Sequence, residues 1–286
     1  MSESGFLVVN KPGGPTSHDI VAHARRATGI TKIGHAGTLD PPATGVLVLA
    51  LGRATRLIRY VQDQDKEYVA SLKFGVATST LDATGEEVER FPMAFGKEEL
   101  TAALHEFRGE IQQVPPMVSA LKVGGRRLYD LARQGQEVER EPRMVHIEEL
   151  ELEAFEGGDF PLARIRVVCS KGTYIRSLAD DIAASLGGRA HLQHLTRTRI
   201  GNLTIEKALA PDSLESWHDH LLPVLVAAAG MKAVTVTGQE AAGVRNGRPL
   251  PGDGGQGPLA VLDQSGNLIA VYQRHGTQAR AEVVLV

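Results

Sequence analysis

The chain has 286 residues, 42% of them hydrophobic, and a formal net charge of -3, so it can bury a sizeable core; its length favours one large domain plus a smaller one. A single cysteine, Cys169, excludes an intramolecular disulfide and any cysteine-based zinc site. No run of about 18 apolar residues occurs, and the first residues lack a basic segment followed by an apolar one, so a cytoplasmic protein without a membrane partner is expected. The charge is uneven. Residues 1–60 hold seven Lys and Arg against three acids, which leaves this segment at +4 and the remainder at -7. Local positive potential of this kind is compatible with binding a phosphate backbone despite the acidic total.

Phe6-Leu7-Val8-Val9 reads as a buried strand that enters a rigid loop at Asn10-Lys11-Pro12-Gly13-Gly14-Pro15. Lys11 is a candidate either for touching phosphate or for bracing the strand it ends. Thr16-Ser17-His18-Asp19 offers N-cap residues for a helix to about Thr28, stopped by Gly29, with Ile20, Ala24 and Ala27 on one face. Then comes a concentration of special backbone residues around one carboxylate, Gly34 to Gly45. Three glycines open backbone angles closed to other residues, while Pro41 and Pro42 fix their own φ and push the residue before each out of the helical region. Asp40 is thereby held on a stiff turn, as a ligand-facing carboxylate would be.

Val46 to Leu51 is apolar on both faces and predicts a central strand. A helix from about Ala54 to Gln62 would put Arg53, Arg56 and Arg59 on one side, a solvated face in preference to a phosphate track. From Glu67 to Phe74 the pattern alternates, with Tyr68, Ala70, Leu72 and Phe74 on one face. Asp82-Ala83-Thr84-Gly85 reads as a turn, and Glu86 to Glu89 as a solvated edge. An amphipathic helix from about Glu98 carries Leu100, Leu104 and Phe107 and closes at Gly109. A strand from Val118 to Val123 runs into the Gly124-Gly125 turn, where Lys122, Arg126, Arg127, Tyr129 and Arg133 cluster as candidates to grip an RNA backbone.

Met144 to Phe155 and Leu162 to Cys169 are predicted as a strand pair. A helix follows with Thr173 as its N-cap, Ile175, Leu178, Ile182 and Leu186 facing the core, and Gly187 ending it. Arg176 in its first turn opposes the helix dipole, which predicts a carboxylate partner elsewhere in the fold, with Asp40 the candidate. His191 to Arg199 is a polar, basic strand whose Arg197 and Arg199 are RNA-binding candidates. His191 and His194 are rejected as a zinc pair, because three residues apart on a strand places them on opposite faces and no cysteine joins them. A helix is expected near Leu214 to His220. From residue 231 the composition turns to short β-rich runs separated by Gly, Asp and Asn turns, as in a small barrel, so residues 1–230 and 231–286 are read as two domains.

The run His35-Ala36-Gly37-Thr38-Leu39-Asp40-Pro41, continued by Ala43-Thr44-Gly45, resembles the catalytic loop of the TruB family of tRNA pseudouridine synthases. Asn10-Lys11-Pro12, Lys66-Glu67-Tyr68, Ser119-Ala120-Leu121-Lys122 and Lys171-Gly172-Thr173-Tyr174-Ile175-Arg176 are similar to that family in the same order. Val244-Arg245-Asn246-Gly247-Arg248 is similar to the loop of a PUA RNA-binding domain, which adds Arg245 and Arg248 to the RNA-binding candidates. The resemblance implies an α+β pseudouridine synthase fold: a mixed, mostly antiparallel sheet flanked by helices, with a small C-terminal PUA-like β-barrel. It implies conversion of the T-loop uridine of tRNA, position 55, to pseudouridine, by a monomer with no cofactor and no metal. Asp40 would be the catalytic carboxylate, attacking the ribose or taking a ribose proton. Arg176 would hold it ionised against desolvation. Tyr68, otherwise a core tyrosine, would stack on the base, His35 would fill the space left by the flipped nucleotide, Leu195 would pack in the pocket, and Lys11 would brace the site. A non-catalytic RNA-binding module and a nucleic-acid N-glycosidase are the competing readings; the glycosidase would need a second carboxylate to activate water.

Overall fold

The computed structural model describes residues 3–119, 121–128, 131, 134, 136 and 138–285. Ala120, Tyr129 and Arg133, with the side chains of Lys122 and Arg127, lie outside the described residues. The strands in chain order are β1 (Gly5–Lys11), β2 (Ile33–His35), β3 (Thr44–Leu51), β4 (Lys66–Phe74), β5 (Val76–Thr78), β6 (Glu87–Arg90), β7 (Gly109–Gln113), β8 (Lys122–Val123), β9 (Arg126–Arg127), β10 (Arg143–Glu156), β11 (Leu162–Cys169), β12 (Ala190–Ile200) and β13 (Leu203–Thr204). A second group comprises β14 (Lys232–Thr235), β15 (Leu250–Pro251), β16 (Gln256–Leu262), β17 (Leu268–His275) and β18 (Gln278–Val284).

The main sheet runs β1-β3-β12-β4-β11-β10-β7, with β2 beside β3 and β13 beside β12. Its described ladders are antiparallel except β12 with β3, where Thr196 faces Thr44 and Arg197 faces Gly45. The alternation of β4 is real: Tyr68, Ala70, Leu72 and Phe74 are buried and pack with Ile175, Leu178 and Ile182 of the Ile175–Ser185 helix. Each such aliphatic side chain, fully buried, contributes about 1.5–3 kcal/mol. Cys169 belongs to this core.

The Ser17–Thr28 helix has the expected ends. Thr16 and Asp19 form a capping box, and Gly29 closes it at φ 70°. Other ends differ from expectation. The Ile175–Ser185 helix is preceded by Tyr174 as N-cap, since Thr173 turns its hydroxyl to the Ser170 carbonyl at 3.0 Å. The predicted helix over 54–62 is a 3-10 stretch, Gly52–Leu57, followed by one α turn, Ile58–Gln62, and Pro211–His220 is also 3-10. Short apolar periodicity does not distinguish these forms.

The expected C-terminal barrel is built as a curled half-barrel of order β14-β16-β17-β18-β15. It is not a separate bead on the chain. Ala260, Leu268, Val271 and Val283 share one apolar cluster with Phe6, Val48, Leu57 and Ile200 of the larger part. The arginine stripe lies on a solvated face as expected, Arg53, Arg56 and Arg59 all being exposed, and two of its members also reach this junction: Arg56 donates to the Val284 carbonyl, Arg59 pairs with Glu282, and the Tyr60 hydroxyl donates to Glu282 at 2.9 Å.

Candidate active site

Asp40 lies on the loop that feeds β3, at the parallel seam with β12. Three devices stiffen that loop. Lys11, wholly buried, donates from Nζ to the carbonyls of Pro12 (2.9 Å), Pro41 (2.9 Å) and Ala43 (2.7 Å). Ser17 both donates to the Leu39 carbonyl (3.1 Å) and accepts from the Leu39 N–H (2.9 Å). Arg197, 2% exposed, donates to the carbonyls of Val46 (2.8 Å), Gly37 (3.0 Å) and Thr38 (3.5 Å). The backbones of β3 and β12 approach so closely here that a Cβ on Gly45 would lie 2.2 Å from the Arg197 carbonyl oxygen, and Gly45 has φ 99°.

The Asp40 side chain remains 44% exposed and faces a cleft of about 890 Å³ lined also by Tyr68, Leu195, Arg143, Met144, Val145, Ser119 and Tyr174. Behind it stands Arg176, whose Nη2 is 3.0 Å from Asp40 Oδ2 and whose side chain is 6% exposed. Arg176 also donates to the carbonyls of Thr80 (3.0 Å) and Val118 (2.7 Å). Its helix start is itself anchored, because the buried Gln113 amide accepts from Tyr174 N–H (2.7 Å) and donates to Tyr174 C=O (3.1 Å). A guanidinium so fully engaged is a fixed, rigid fork with one face left for a carboxylate.

A second acid meets Arg176. Asp82 Oδ2 is 3.6 Å from its Nη1, while Oδ1 accepts from Thr80 Oγ1 (2.7 Å), Thr84 N–H (3.0 Å) and Thr84 Oγ1 (2.5 Å). In the sequence Asp82 stands out only as part of a turn. A signal was present in Thr80-x-Asp82-x-Thr84, an acid flanked by two hydroxyls able to fold over it. Leu81 between them takes φ 60°, unusual for a leucine.

Burial pushes the Tyr68 phenol above its ordinary range, against the opposing charge of Arg197. His35 is lowered, first by burial and then by the charges of His18 and Arg197, which favours the neutral imidazole; its Nδ1 is buried without a partner among the described residues, and the His18 ring meets it edge-on at 5.3 Å. Lys11 is lowered to about 8 by burial, partly offset by Asp40.

The remaining candidates divide. Arg197 does not face solvent as an RNA contact must; it is a buried clamp on the Asp40 loop. Lys11 likewise is a brace, and its burial rules out a phosphate contact. Arg199 is half-buried and donates to the Gly201 carbonyl at 3.0 Å. Arg126, Arg245 and Arg248 are exposed, Arg126 bonded to Gln134 at 2.6 Å. His191 is buried with Nδ1 2.8 Å from the Val76 carbonyl oxygen, whereas His194 is exposed. Among the described residues no group of three or more metal-ligating side chains gathers, and no helix is long and apolar enough to cross a membrane.

A mixed sheet with a carboxylate loop at its parallel seam, a buried arginine behind the carboxylate and a tyrosine on the cleft floor define the pseudouridine synthase class. Solved structures agree: the chain superposes on a Cbf5-Nop10-Gar1 complex with TM-score 0.76 and 26% identity, covering 99% of this chain and 85% of that one. An archaeal box H/ACA Nop10-Cbf5 complex gives TM-score 0.75 at 25% identity, covering 99% and 86%. Residues 25–175 match the TruB family pseudouridylate synthase N-terminal domain and residues 231–286 the tRNA pseudouridine synthase II C-terminal domain. The tRNA pseudouridine synthase B of Symbiobacterium thermophilum is 51% identical, over 85% of this chain and 82% of its own. That of Bacillus pumilus is 39% identical, over 96% and 94%. The chain belongs to the TruB family.

Proposed function

We propose that this chain isomerises a uridine of tRNA to pseudouridine, that the uridine is the one at position 55 of the T-loop, and that Asp40 acts on its ribose. In this reaction the bond from C1′ to N1 breaks, a bond from C1′ to C5 forms, N1 gains a proton and the C5 proton leaves to solvent. Nothing is oxidised or hydrolysed. The observation that carries the reading is the Asp40–Arg176 pair, a carboxylate open to a base-sized cleft with a buried guanidinium 3.0 Å behind it. Electrostatic support that is already in place costs no reorganisation during reaction.

Tyr68, on the cleft floor, stacks on the flipped base, and Leu195 packs beside it. His35, neutral and partly buried near the loop, takes the space the uridine leaves. Arg126, Arg245 and Arg248 hold the RNA backbone. Residues 1–230 form the catalytic domain and 231–286 a PUA-like RNA-binding domain, working as a monomer in the cytoplasm. Among the described residues the N-glycosidase reading lacks its second carboxylate: Asp82 is buried at 8% exposure on Arg176 and outside the cleft lining, and Asp63, at the cleft, pairs with Lys171 at 2.6 Å.

The test is tritium release from T-arm RNA labelled at C5 of uridine. Wild type releases tritium and leaves the RNA intact. Asp40→Asn abolishes release, and Arg176→Ala lowers it at least about a thousandfold, the scale of losing one preorganised charge contact and its geometry. Release of free uracil would establish the glycosidase, and RNA binding without release the silent module.

A further inference from the structure

Asp40 is held by Arg176, and its loop by Lys11, Ser17 and Arg197. His35, which ends β2 and opens the same loop, lacks a comparable hold. The residue is half-buried, and its Nδ1 is buried without a hydrogen-bond partner among the described residues. A half-buried imidazole keeps several rotamers unless packing removes them. The packing here comes from His18. The two ring centroids lie 5.3 Å apart with their planes at 84°, so the edge of one ring meets the face of the other.

His18 stands on a fixed base. It is the second residue of the Ser17–Thr28 helix, and the residues on both sides of it are tied down. Ser17 exchanges two hydrogen bonds with the backbone of Leu39, at 3.1 and 2.9 Å, one residue from Asp40. Asp19 closes the capping box: its Oδ2 accepts from Thr16 N–H at 2.8 Å and from the Thr16 hydroxyl at 2.7 Å, while its own N–H donates to Thr16 Oγ1 at 3.1 Å. The Gly14 N–H adds a further tie, to the Pro41 carbonyl at 2.8 Å. The helix alone gives no reason for a histidine at this exposed position, because a first turn suits acids and imidazole is a mediocre helix former. The contact with His35 supplies one.

We propose that His18 is a positioning residue for the reaction: its ring, anchored through Ser17 and Asp19 to the Asp40 loop, selects the rotamer in which His35 enters the space the uridine leaves. The inference rests on the part proposed above for His35. Neither ring lines the cleft that receives the uridine, so the loss of His18 slows the exchange of base for histidine without altering what the flipped base touches. An edge-to-face ring contact shifts a rotamer equilibrium about twofold to tenfold.

Single-turnover tritium release from T-arm RNA labelled at C5 of uridine tests the role. His18→Ala lowers the rate constant at saturating RNA about fivefold and leaves KM within about twofold. His18→Phe, which keeps a ring, restores the rate to within about twofold of wild type. His18→Ala in a His35→Ala background costs nothing further, since the first residue acts through the second. Thermal melting verifies folding, and His18→Gln, also without a ring, replaces His18→Ala should that variant not fold. A wild-type rate in the ringless variant, a Phe variant as slow as Ala, or losses that multiply in the double variant overturns the role. NMR of the histidine ring C–H groups in the full chain reads the contact without catalysis. The charges facing His35 are His18 and Arg197, and the acid beside His18 is Asp19, which all the variants keep. Removing the His18 charge therefore raises the His35 titration midpoint; an unmoved midpoint and resonance in folded His18→Ala refutes the contact. Wild type that releases no tritium while the NMR contact is present removes the proposed reaction and the role with it, whereas release by wild type with multiplying losses removes the role alone.

Discussion

Lys11 is a buried ammonium with no carboxylate bonded to it among the described residues; three loop carbonyls accept its hydrogen bonds. Desolvation is the largest influence on it, and its folded value of about 8 lies below the ordinary 10.5. Between those two values the unfolded chain holds a proton that the folded chain has released, so this lysine's contribution to stability rises with pH across that window. Lys11→Met leaves the carbonyls unpaired and costs about 3 kcal/mol at pH 7. The gap between the two proteins then widens in favour of wild type from about pH 8 towards 10.5. Urea midpoints at pH 7, 8, 9 and 10 measure it, and a constant gap would refute the assignment. Asp40 was legible from the sequence because glycines and prolines crowd around it. Arg176 was legible through a conflict, a cation where a helix start prefers acids, and the fold supplies two carboxylates near it. Asp82 was not, since its importance comes from a residue 94 positions away that only folding brings near.

At the scale of elements, the site depends on β12 lying between β3 and β4, parallel to one and antiparallel to the other. Gly45 permits that approach. Gly29 also has positive φ, at 70°, but a Cβ there would meet nothing within 4 Å. Gly45→Ala is therefore expected to destabilise by more than about 3 kcal/mol, through backbone strain plus collision with β12, and Gly29→Ala by only about 1 kcal/mol, through strain alone. Chemical denaturation of the two variants checks the difference, and equal losses would mean the seam relaxes freely. The helix periods at Ile20 and Ala24, and at Ile175, Leu178 and Ile182, were readable because burial follows a period of about 3.6 residues. In β12 the alternation is broken by register shifts at Leu192/His194 and Arg197/Arg199, and each shift changes the face a side chain occupies. Arg197, an RNA-binding candidate by its sequence, is buried on the cleft side of the strand as a result.

Over the whole molecule, the half-barrel and the larger part share an apolar cluster bordered by Arg56, Arg59, Tyr60 and Glu282. The exposed ion pair adds little by itself, less than about 1 kcal/mol; the shared burial is what couples the parts. Calorimetry of the full chain should show one transition. A chain ending at residue 230 uncovers Leu57, Ile200 and Leu203 and is expected to melt more than about 5 °C lower and to bind a hydrophobic dye. Two independent transitions, or an unchanged midpoint, would show that the halves are merely tethered.

Local order was the sequence's own doing: the strand and helix periods, the stiff Asp40 loop and the β-rich C-terminal segment all follow from constraints acting over a few residues. The tertiary structure decided which distant groups converge. Asp40, Asp82 and Arg176 meet because of strand order, and Arg197 turns inward because of bulges. Those outcomes depend on packing between segments far apart in the chain, and no local pattern carries that information.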